Sequence, residues 1–312
     1  MSNKLLKQLK KLSSGAPQMA HFSGCVLSSY HAIAAKRQSL DTQGRRDEPL
    51  IVLIGETHLN PLEYLHHVVL MELLKDHDGG VVSALELDHD YLEKEGMEDY
   101  IYNQAPLSYW YDSAEFAFAN FEAPEAVYSR KILFNYLAHQ RIDQKIKPLF
   151  NDASCNAFDE IELQDSATKE LVDALGVEDD FISTVLPLGM KIRNHFMVNT
   201  LDRFVQRYSP RIALQFAGFK HLAGDNEYRV EDSLTALFNE RGAEVLNIDL
   251  SPCSNNRVAD ENIEVSTLLR YEAVGDENVR LIDEHNEQDI GLNETELVAS
   301  YLDALGLSHF KI

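Results

Sequence analysis

Polar residues that can do acid–base or ligand chemistry follow directly after four short apolar runs of the sequence. They are Gly55-Glu56-Thr57-His58 after the first run, Glu86, Asp88 and His89 after the second, Asn151-Asp152 after the third, and Gly218-Phe219-Lys220-His221 after the fourth. Strands that end at a surface are often followed by polar residues, but four such sets in succession favour a site. In an open parallel sheet, ligands bind beyond the carboxyl ends of the strands. The sequence therefore predicts one polar site, whose members are Glu56, His58, Glu86 and His221.

Two glutamates and two histidines support two different chemistries. They match the ligand types and number for a divalent ion such as zinc, manganese or cobalt, and the predicted ligands would then be His58, Glu86 and His221. The same residues can instead activate a water molecule directly, with a carboxylate that holds an imidazole or accepts the proton itself. Gly55 and Gly218 fit either case, because glycine lets the backbone turn sharply or approach a ligand closely. The residue types leave both alternatives open.

Arg193 is the second signal, because it falls on the apolar face of a predicted helix over Pro187–Arg207. That face also contains Met190, Asn194, Met197, Leu201 and Phe204. A buried arginine needs a paired acid, so we expect Arg193 to contact Glu56 or Glu86. Two explanations fit this placement equally well. Arg193 forms a structural ion pair, or its guanidinium holds a carboxylate or stabilises an oxyanion in the site.

The predicted elements would bring these residues to one edge of a mainly parallel sheet. The five candidate strands are Leu50–Ile54, Val81–Leu85, Lys147–Phe150, Arg211–Phe216 and Glu244–Ile248. They do not alternate with polar residues, as is typical of strands covered on both faces, and helical patterns separate them. This order indicates right-handed βαβ units and an α/β fold.

Helix signals and composition divide the chain into three parts. We predict a basic N-terminal segment over 1–47, an α/β core over 48–252 and an acidic C-terminal segment over 253–312 with a last helix near Glu294–Leu305. Helical insertions are predicted at about 91–144, which is rich in tyrosine, and at about 157–210. The first helix after the glycine–glutamate motif should begin at an Asn60 cap, with Pro61 in its first turn and Glu63 completing a capping box. His66 and His67 on that helix are more often packed or solvent-facing than ligands.

Charge and cysteine usage restrict the class of protein. The formal net charge is −23, and the residues after 47 carry twenty Lys and Arg against forty-nine acids, so the body should repel nucleic acid. Three isolated cysteines fit a reducing compartment. The four lysines near the N-terminus precede no apolar run, and no stretch is long enough to span a bilayer. We therefore expect a cytoplasmic protein without a transmembrane segment, whose basic N-terminal helix lies on its own domain rather than on a membrane surface.

Five pieces of the sequence, in order, resemble the superfamily of the erythromycin esterase-like, ChaN-like and Tiki/TraB proteins. They are IVLIGETH, ALELD, KIRNHFMVN, FAGFKHLAG and ERGAEVLNIDL, between about residues 50 and 250. The resemblance implies a three-layer α/β/α core with helical insertions. It carries over five site positions, namely Glu56, His58, Glu86, Arg193 and His221.

The activities within this superfamily suggest three hypotheses for the chain. The first is a hydrolase that attacks an ester or amide of a small molecule or peptide with activated water, with or without the help of a metal ion, as erythromycin esterases and Tiki-like proteases do. The second is a ligand-binding protein resembling ChaN, with haem as the best candidate and the tyrosine-rich insertion supplying contacts. The third is an inactive relative that acts through protein partners. From the sequence as printed, we expect neither the lipoprotein signal of secreted ChaN proteins nor the membrane helices of Tiki proteins.

Overall fold

A computed structural model of the chain describes residues 2–57, 60–86, 146–150, 170–171, 173–174, 187–223, 230–250, 263–265, 268–274, 278–283 and 286–308. The tyrosine-rich insertion predicted at about 91–144 lies outside these residues, as does most of the second insertion before Pro187.

The described elements run from a helical N-terminus through alternating strands and helices. They are α1 (Ser2–Leu12), α2 (Pro17–Thr42), β1 (Leu50–Glu56), α3 (Pro61–Leu74), β2 (Val81–Leu85), β3 (Ile146–Phe150), α4 (Pro187–Tyr208), β4 (Ile212–Gly218), α5 (Phe219–Ala223), a 3₁₀ turn (Val230–Asp232), α6 (Leu234–Glu240), β5 (Glu244–Asp249), β6 (Ile263–Val265), β7 (Arg270–Val274), β8 (Asn278–Asp283), β9 (Asn286–Asp289) and α7 (Glu294–Leu305).

Within the described residues, the main sheet has six parallel strands in the order β3-β2-β4-β1-β5-β6. The five strands predicted from sequence are all present, and their bounds differ by two residues or fewer from the predicted ones. The sequence reasoning missed β6, and it also missed a separate antiparallel sheet of β7, β8 and β9. These strands are short and partly polar, so they lack the continuous apolar run that marks a strand buried on both faces.

Helices cover both faces of the main sheet, which confirms the predicted α/β fold with three layers. On β1, Val52 and Ile54 belong to a core cluster with residues of α1, α2, α3 and α7. The alternate positions Ile51 and Leu53 belong to a second cluster with α4 and α6. Successive side chains of a strand point to opposite faces, so a strand covered on both faces must be apolar at every position. This explains why β1 shows no polar alternation.

Helices α4 and α7 closely match their predicted bounds, whereas α2 was not predicted. Helix α4 begins at Pro187 as expected, and α7 occupies the predicted range, with a capping box between Asn293 and Glu296. Helix α2 has no strong amphipathic pattern, because small and polar residues such as Ser23 and Ser29 are buried with its apolar side chains. Among the described helices, none is both long enough and apolar enough to cross a membrane.

The start of α3 corrects one sequence prediction. Asn60 is the N-cap as expected, and its side chain accepts a hydrogen bond from the amide of Leu62. Glu63, however, does not complete the predicted capping box. Its Oε1 accepts from the amide of Thr57 at 3.0 Å and from the Thr57 hydroxyl at 2.8 Å. Thr57, the residue directly after β1, offers this carboxylate two donors. Glu63 therefore stabilises the β1–α3 connection rather than the cap of the helix.

Candidate functional site

Glu86 lies directly after β2, and its side chain continues the hydrogen bonding between β2 and β4. Its backbone amide donates to the carbonyl of Phe216 on β4 at 3.0 Å. The next donor on β4, the amide of Gly218, is bound by the Glu86 carboxylate at Oε2 with a distance of 2.6 Å. The side chain is buried. The carboxylate is therefore held at the edge of the sheet by a backbone amide that belongs to strand β4.

Arg193 reaches the same carboxylate from α4. Its Nη2 donates to Oε1 of Glu86, and both side chains are less than 10% exposed. Helix α4 presents Arg193 on the face that also buries Met197 and Leu201 against the sheet. The predicted contact of Arg193 with a site carboxylate is confirmed, and the partner is Glu86.

His221 completes this cluster from α5, the short helix that follows β4. Its Nε2 lies 3.2 Å from Oε1 of Glu86, and its Nδ1 contacts Oδ1 of Asn194 on α4. Gly55 permits the approach of α5 to β1, because a Cβ at position 55 would lie only 3.1 Å from the Cα of Phe219. We call Glu86, Arg193, Asn194 and His221 the Glu86 cluster.

Glu56 at the end of β1 belongs to a second pair. Its Oε2 lies 3.1 Å from Nε2 of His67 on α3, and both side chains are buried. The His67 ring packs on Phe216 with centroids 4.0 Å apart. Glu56 continues the strand positions that face α3, whereas Glu86 contacts α4 and α5 on the other side of the sheet. The described members of the predicted site thus share one edge of the sheet but are divided between its two sides.

Among the residues singled out from sequence, the structure brings together Glu86, Arg193 and His221. His58 lies outside the described residues, as do Asp88, His89 and Asn151-Asp152. His67 was ranked low from sequence, yet it contacts the Glu56 carboxylate. A signal for it was present, because Glu63 and His67 are four residues apart and so lie on one face of α3. That face binds the two consecutive residues Glu56 and Thr57.

The predicted divalent ion does not fit the described part of the ligand set. In the described ranges, no group of three His, Cys, Asp or Glu side chains is arranged to hold a metal. Of the three predicted ligands, Glu86 and His221 are described, and the Arg193 guanidinium occupies the same Glu86 oxygen that faces His221. A cation bound there would be repelled by this guanidinium at contact distance. No step of the chemistry is therefore assigned to a metal.

Comparisons with known proteins find distant structural similarity. No protein-family model and no curated protein sequence match the chain. It is similar to a succinoglycan biosynthesis protein at 11% identity and a TM-score of 0.39, over 65% of this chain and 66%, just under two thirds, of that one. It is also similar to a protein from Bacillus cereus at 11% identity and a TM-score of 0.34, over 78% and 85% of the two chains.

A third similar structure is ChaN of Campylobacter jejuni with cofacially bound haem, at 13% identity and a TM-score of 0.30, over 65% of this chain and 82% of that one. At these sequence identities and TM-scores, the similarities give no evidence for the activity of the chain. Its fold class rests on the sheet order and the helix layers, and its candidate site rests on the Glu86 cluster.

Proposed function

We propose that the chain is a hydrolase that cleaves an ester or amide bond with an activated water molecule at the Glu86 cluster. The observation that carries this proposal is a buried carboxylate contacted at once by a guanidinium, an imidazole and a backbone amide. Such a carboxylate is held in a fixed position, and an imidazole beside it can pass protons to and from a reacting group.

The contacts give each residue a distinct task in the proposed reaction. Arg193 and the Gly218 amide stabilise the negative charge of Glu86, since opposite charge and donated hydrogen bonds both favour the ionised carboxyl. Glu86 in turn orients His221. The pair gives the proton held between Oε1 of Glu86 and Nε2 of His221 to the leaving group and takes one back from the attacking water, so no proton is gained or lost over the cycle. Arg193 therefore supports the carboxylate in this scheme, and the stabilisation of an oxyanion is left to other donors at the edge.

Glu56 and His67 supply a second carboxylate–imidazole pair at the same edge of the sheet. We propose that Glu56 positions the water or the substrate from the α3 side, together with His58. Helix α3 holds this part of the edge through two anchors. Glu63 binds Thr57, and Asn60 donates from Nδ2 to the carbonyl of Leu269. The substrate class is a small-molecule ester, a lactone or a short peptide.

Replacing the two proton-handling residues tests the proposal. Glu86→Gln and His221→Ala should each lower the turnover of p-nitrophenyl acetate, a lactone or a chromogenic peptide by about 10²- to 10⁴-fold, because neither replacement can relay a proton. His195→Ala is the matched control, since His195 lies on α4 two residues from Arg193 and is only partly buried. Its activity should equal that of the unmodified chain. Turnover that survives both site variants would contradict the assignment.

A haem titration separates the proposed hydrolase from a ligand-binding protein. ChaN of Campylobacter jejuni binds haem, and the sequence resemblance suggested haem as the alternative ligand. A saturable Soret shift at one equivalent, unchanged in Glu86→Gln and lost in a single Tyr→Phe variant of residues 91–144, would favour the haem-binding alternative. Weak and non-saturating binding, together with ester or peptide turnover that depends on Glu86, would support the hydrolase.

A further inference from the structure

Asn194 lies inside the Glu86 cluster with a role that its neighbours define. It is 1% exposed and follows Arg193 on α4. Both ends of its amide group have protein partners, one on the 3₁₀ turn before α6 and one on α5. A buried amide with two fixed partners has one orientation, and that orientation determines which nitrogen of the contacting histidine carries hydrogen.

The orientation of the Asn194 amide follows from the backbone that it contacts. Its Nδ2 lies 2.8 Å from the carbonyl oxygen of Asp232. A carbonyl only accepts hydrogen bonds, so the group facing it must be the amino end of the amide. Lys191, one turn earlier on α4, binds the Asp232 carboxylate at 2.7 Å and holds the same turn in place. The oxygen of the amide is thereby directed at His221.

The amide oxygen then determines the hydrogen on His221. Oδ1 of Asn194 has no hydrogen to donate, and it contacts Nδ1 of the imidazole. Two lone pairs in hydrogen-bond contact would repel each other, so Nδ1 must be the donor. We infer that Asn194 is a positioning residue that keeps a hydrogen on Nδ1 of His221 and leaves Nε2 as the nitrogen that exchanges protons.

The other side of the ring agrees with this assignment. Nε2 lies 3.2 Å from Oε1 of Glu86, another group that accepts hydrogen bonds when ionised. One proton is therefore shared between Glu86 and Nε2, in addition to the hydrogen on Nδ1. A single hydrogen on a neutral imidazole would otherwise go to the carboxylate through Nε2, because charge-assisted hydrogen bonds are the stronger ones. Asn194 prevents that arrangement, since its oxygen cannot turn away from Nδ1.

This inference deepens the proposed function and rests on it for the catalytic meaning of Nε2. The hydrogen on Nδ1 can be observed without any substrate. Protein labelled with ¹⁵N on histidine, recorded by two-bond ¹H–¹⁵N correlation over a pH series, reports which ring nitrogens carry hydrogen. The His221 signals are those that disappear in His221→Gln. The expected result is a hydrogen on Nδ1 throughout, and an unmodified protein in which only Nε2 carries hydrogen would overturn the inference.

Variants at position 194 test whether the amide is the cause. In Asn194→Leu no fixed acceptor faces Nδ1, so Nδ1 should lose its hydrogen and only Nε2, which donates to Glu86, should carry one. Asn194→Asp retains an acceptor and should keep the hydrogen on Nδ1. Asn199→Leu is the matched control, because Asn199 lies on the same helix and binds Arg241 instead, and its spectrum should be unchanged. A spectrum of Asn194→Leu that equals that of the unmodified protein would also overturn the inference.

The two proposals fail in different ways. Hydrogen on Nδ1 without any turnover would uphold the role of Asn194 and reject the hydrolase. Turnover that depends on Glu86, with hydrogen only on Nε2, would uphold the hydrolase and reject the role of Asn194.

Discussion

His66 is buried between α2 and α3, where water cannot solvate a charged imidazole. Its Nε2 lies 2.9 Å from the Ser29 hydroxyl, and that hydroxyl donates to the carbonyl of Cys25 at 3.0 Å. The imidazole must therefore be the donor in the contact with Ser29, and the ring is neutral in the folded chain. Burial lowers the pKa of His66 to about 3.

The depressed pKa of His66 makes folding sensitive to acid. Below a pH of about 6.5, His66 binds a proton in the unfolded chain but not in the folded chain. This contribution to stability is fully present above that pH and is lost as the pH falls toward 3, by up to about 1.4 kcal/mol per pH unit. His66→Gln retains a donor for Ser29 and cannot titrate, so the free energy of unfolding in urea should fall less steeply between pH 6.5 and 4 than in the unmodified protein.

A matched variant isolates the effect of His66. His31 is exposed on α2, so His31→Gln should leave the slope with pH unchanged. Equal slopes for His66→Gln and His31→Gln would mean that other titrating groups, rather than His66, determine the acid sensitivity.

At the scale of elements, the turn between α3 and β2 joins the helix layer to the sheet. Gly79 and Gly80 both have positive φ, at 85° and 81°. Their carbonyls both accept from the amide of Arg211, the residue before β4. The Arg211 side chain lies across Gly79 and binds Asp41 at the end of α2. One turn thus connects α2, α3, β2 and β4 at the amino edge of the sheet, opposite the candidate site.

Alanine substitutions in this turn separate backbone conformation from packing. Gly80→Ala places its Cβ in open space and should cost about 1 to 2 kcal/mol for the positive φ alone. A Cβ at position 79 would lie 2.1 Å from Cδ of Arg211, so Gly79→Ala must also displace that side chain from Asp41. It should cost about 1 to 3 kcal/mol more than Gly80→Ala. Urea unfolding measures both, and equal losses would show that the Arg211 side chain moves freely.

At the scale of the whole molecule, the N-terminal helix α1 packs against α7, the last described helix. Leu5 and Leu9 are buried in the core cluster that contains α3 and α7, and Gln8 donates to the carbonyl of Ala304 at 2.7 Å. Four lysines, at positions 4, 7, 10 and 11, are exposed. The basic N-terminal helix therefore packs on its own domain with its apolar face inward, and its charges face solvent.

Truncating the buried face of α1 should destabilise the fold. Leu9→Ala removes a fully buried side chain and should lower the free energy of unfolding by about 2 to 5 kcal/mol. Lys10→Ala is the control on the exposed face and should stay within about 0.5 kcal/mol of the unmodified protein. Both are measured by chemical denaturation. A neutral Leu9→Ala would mean that α1 is detached in solution.

The sequence alone determined the strands β1 to β5, the helices α3, α4 and α7, and the edge at which the polar residues gather. Hydrophobic periodicity and helix caps are local signals, so a single sequence displays them directly. The rule that sites lie at the carboxyl ends of parallel strands then indicated Glu86 and His221, together with Glu56 and His58. Arg193 was recognised because a charge on an apolar helix face requires a partner.

Only the tertiary structure decided which partners these residues have. Strand β4 inserts between β1 and β2, and the ends of those two strands direct Glu56 to α3 and Glu86 to α4. Strand order depends on pairings between residues more than a hundred positions apart, such as Leu50 with Ile212. The contact of Asn194 with His221 arises in the same way, from α4 and α5 meeting over the end of the sheet. Spacing within one element cannot reveal such contacts, because packing between elements creates them.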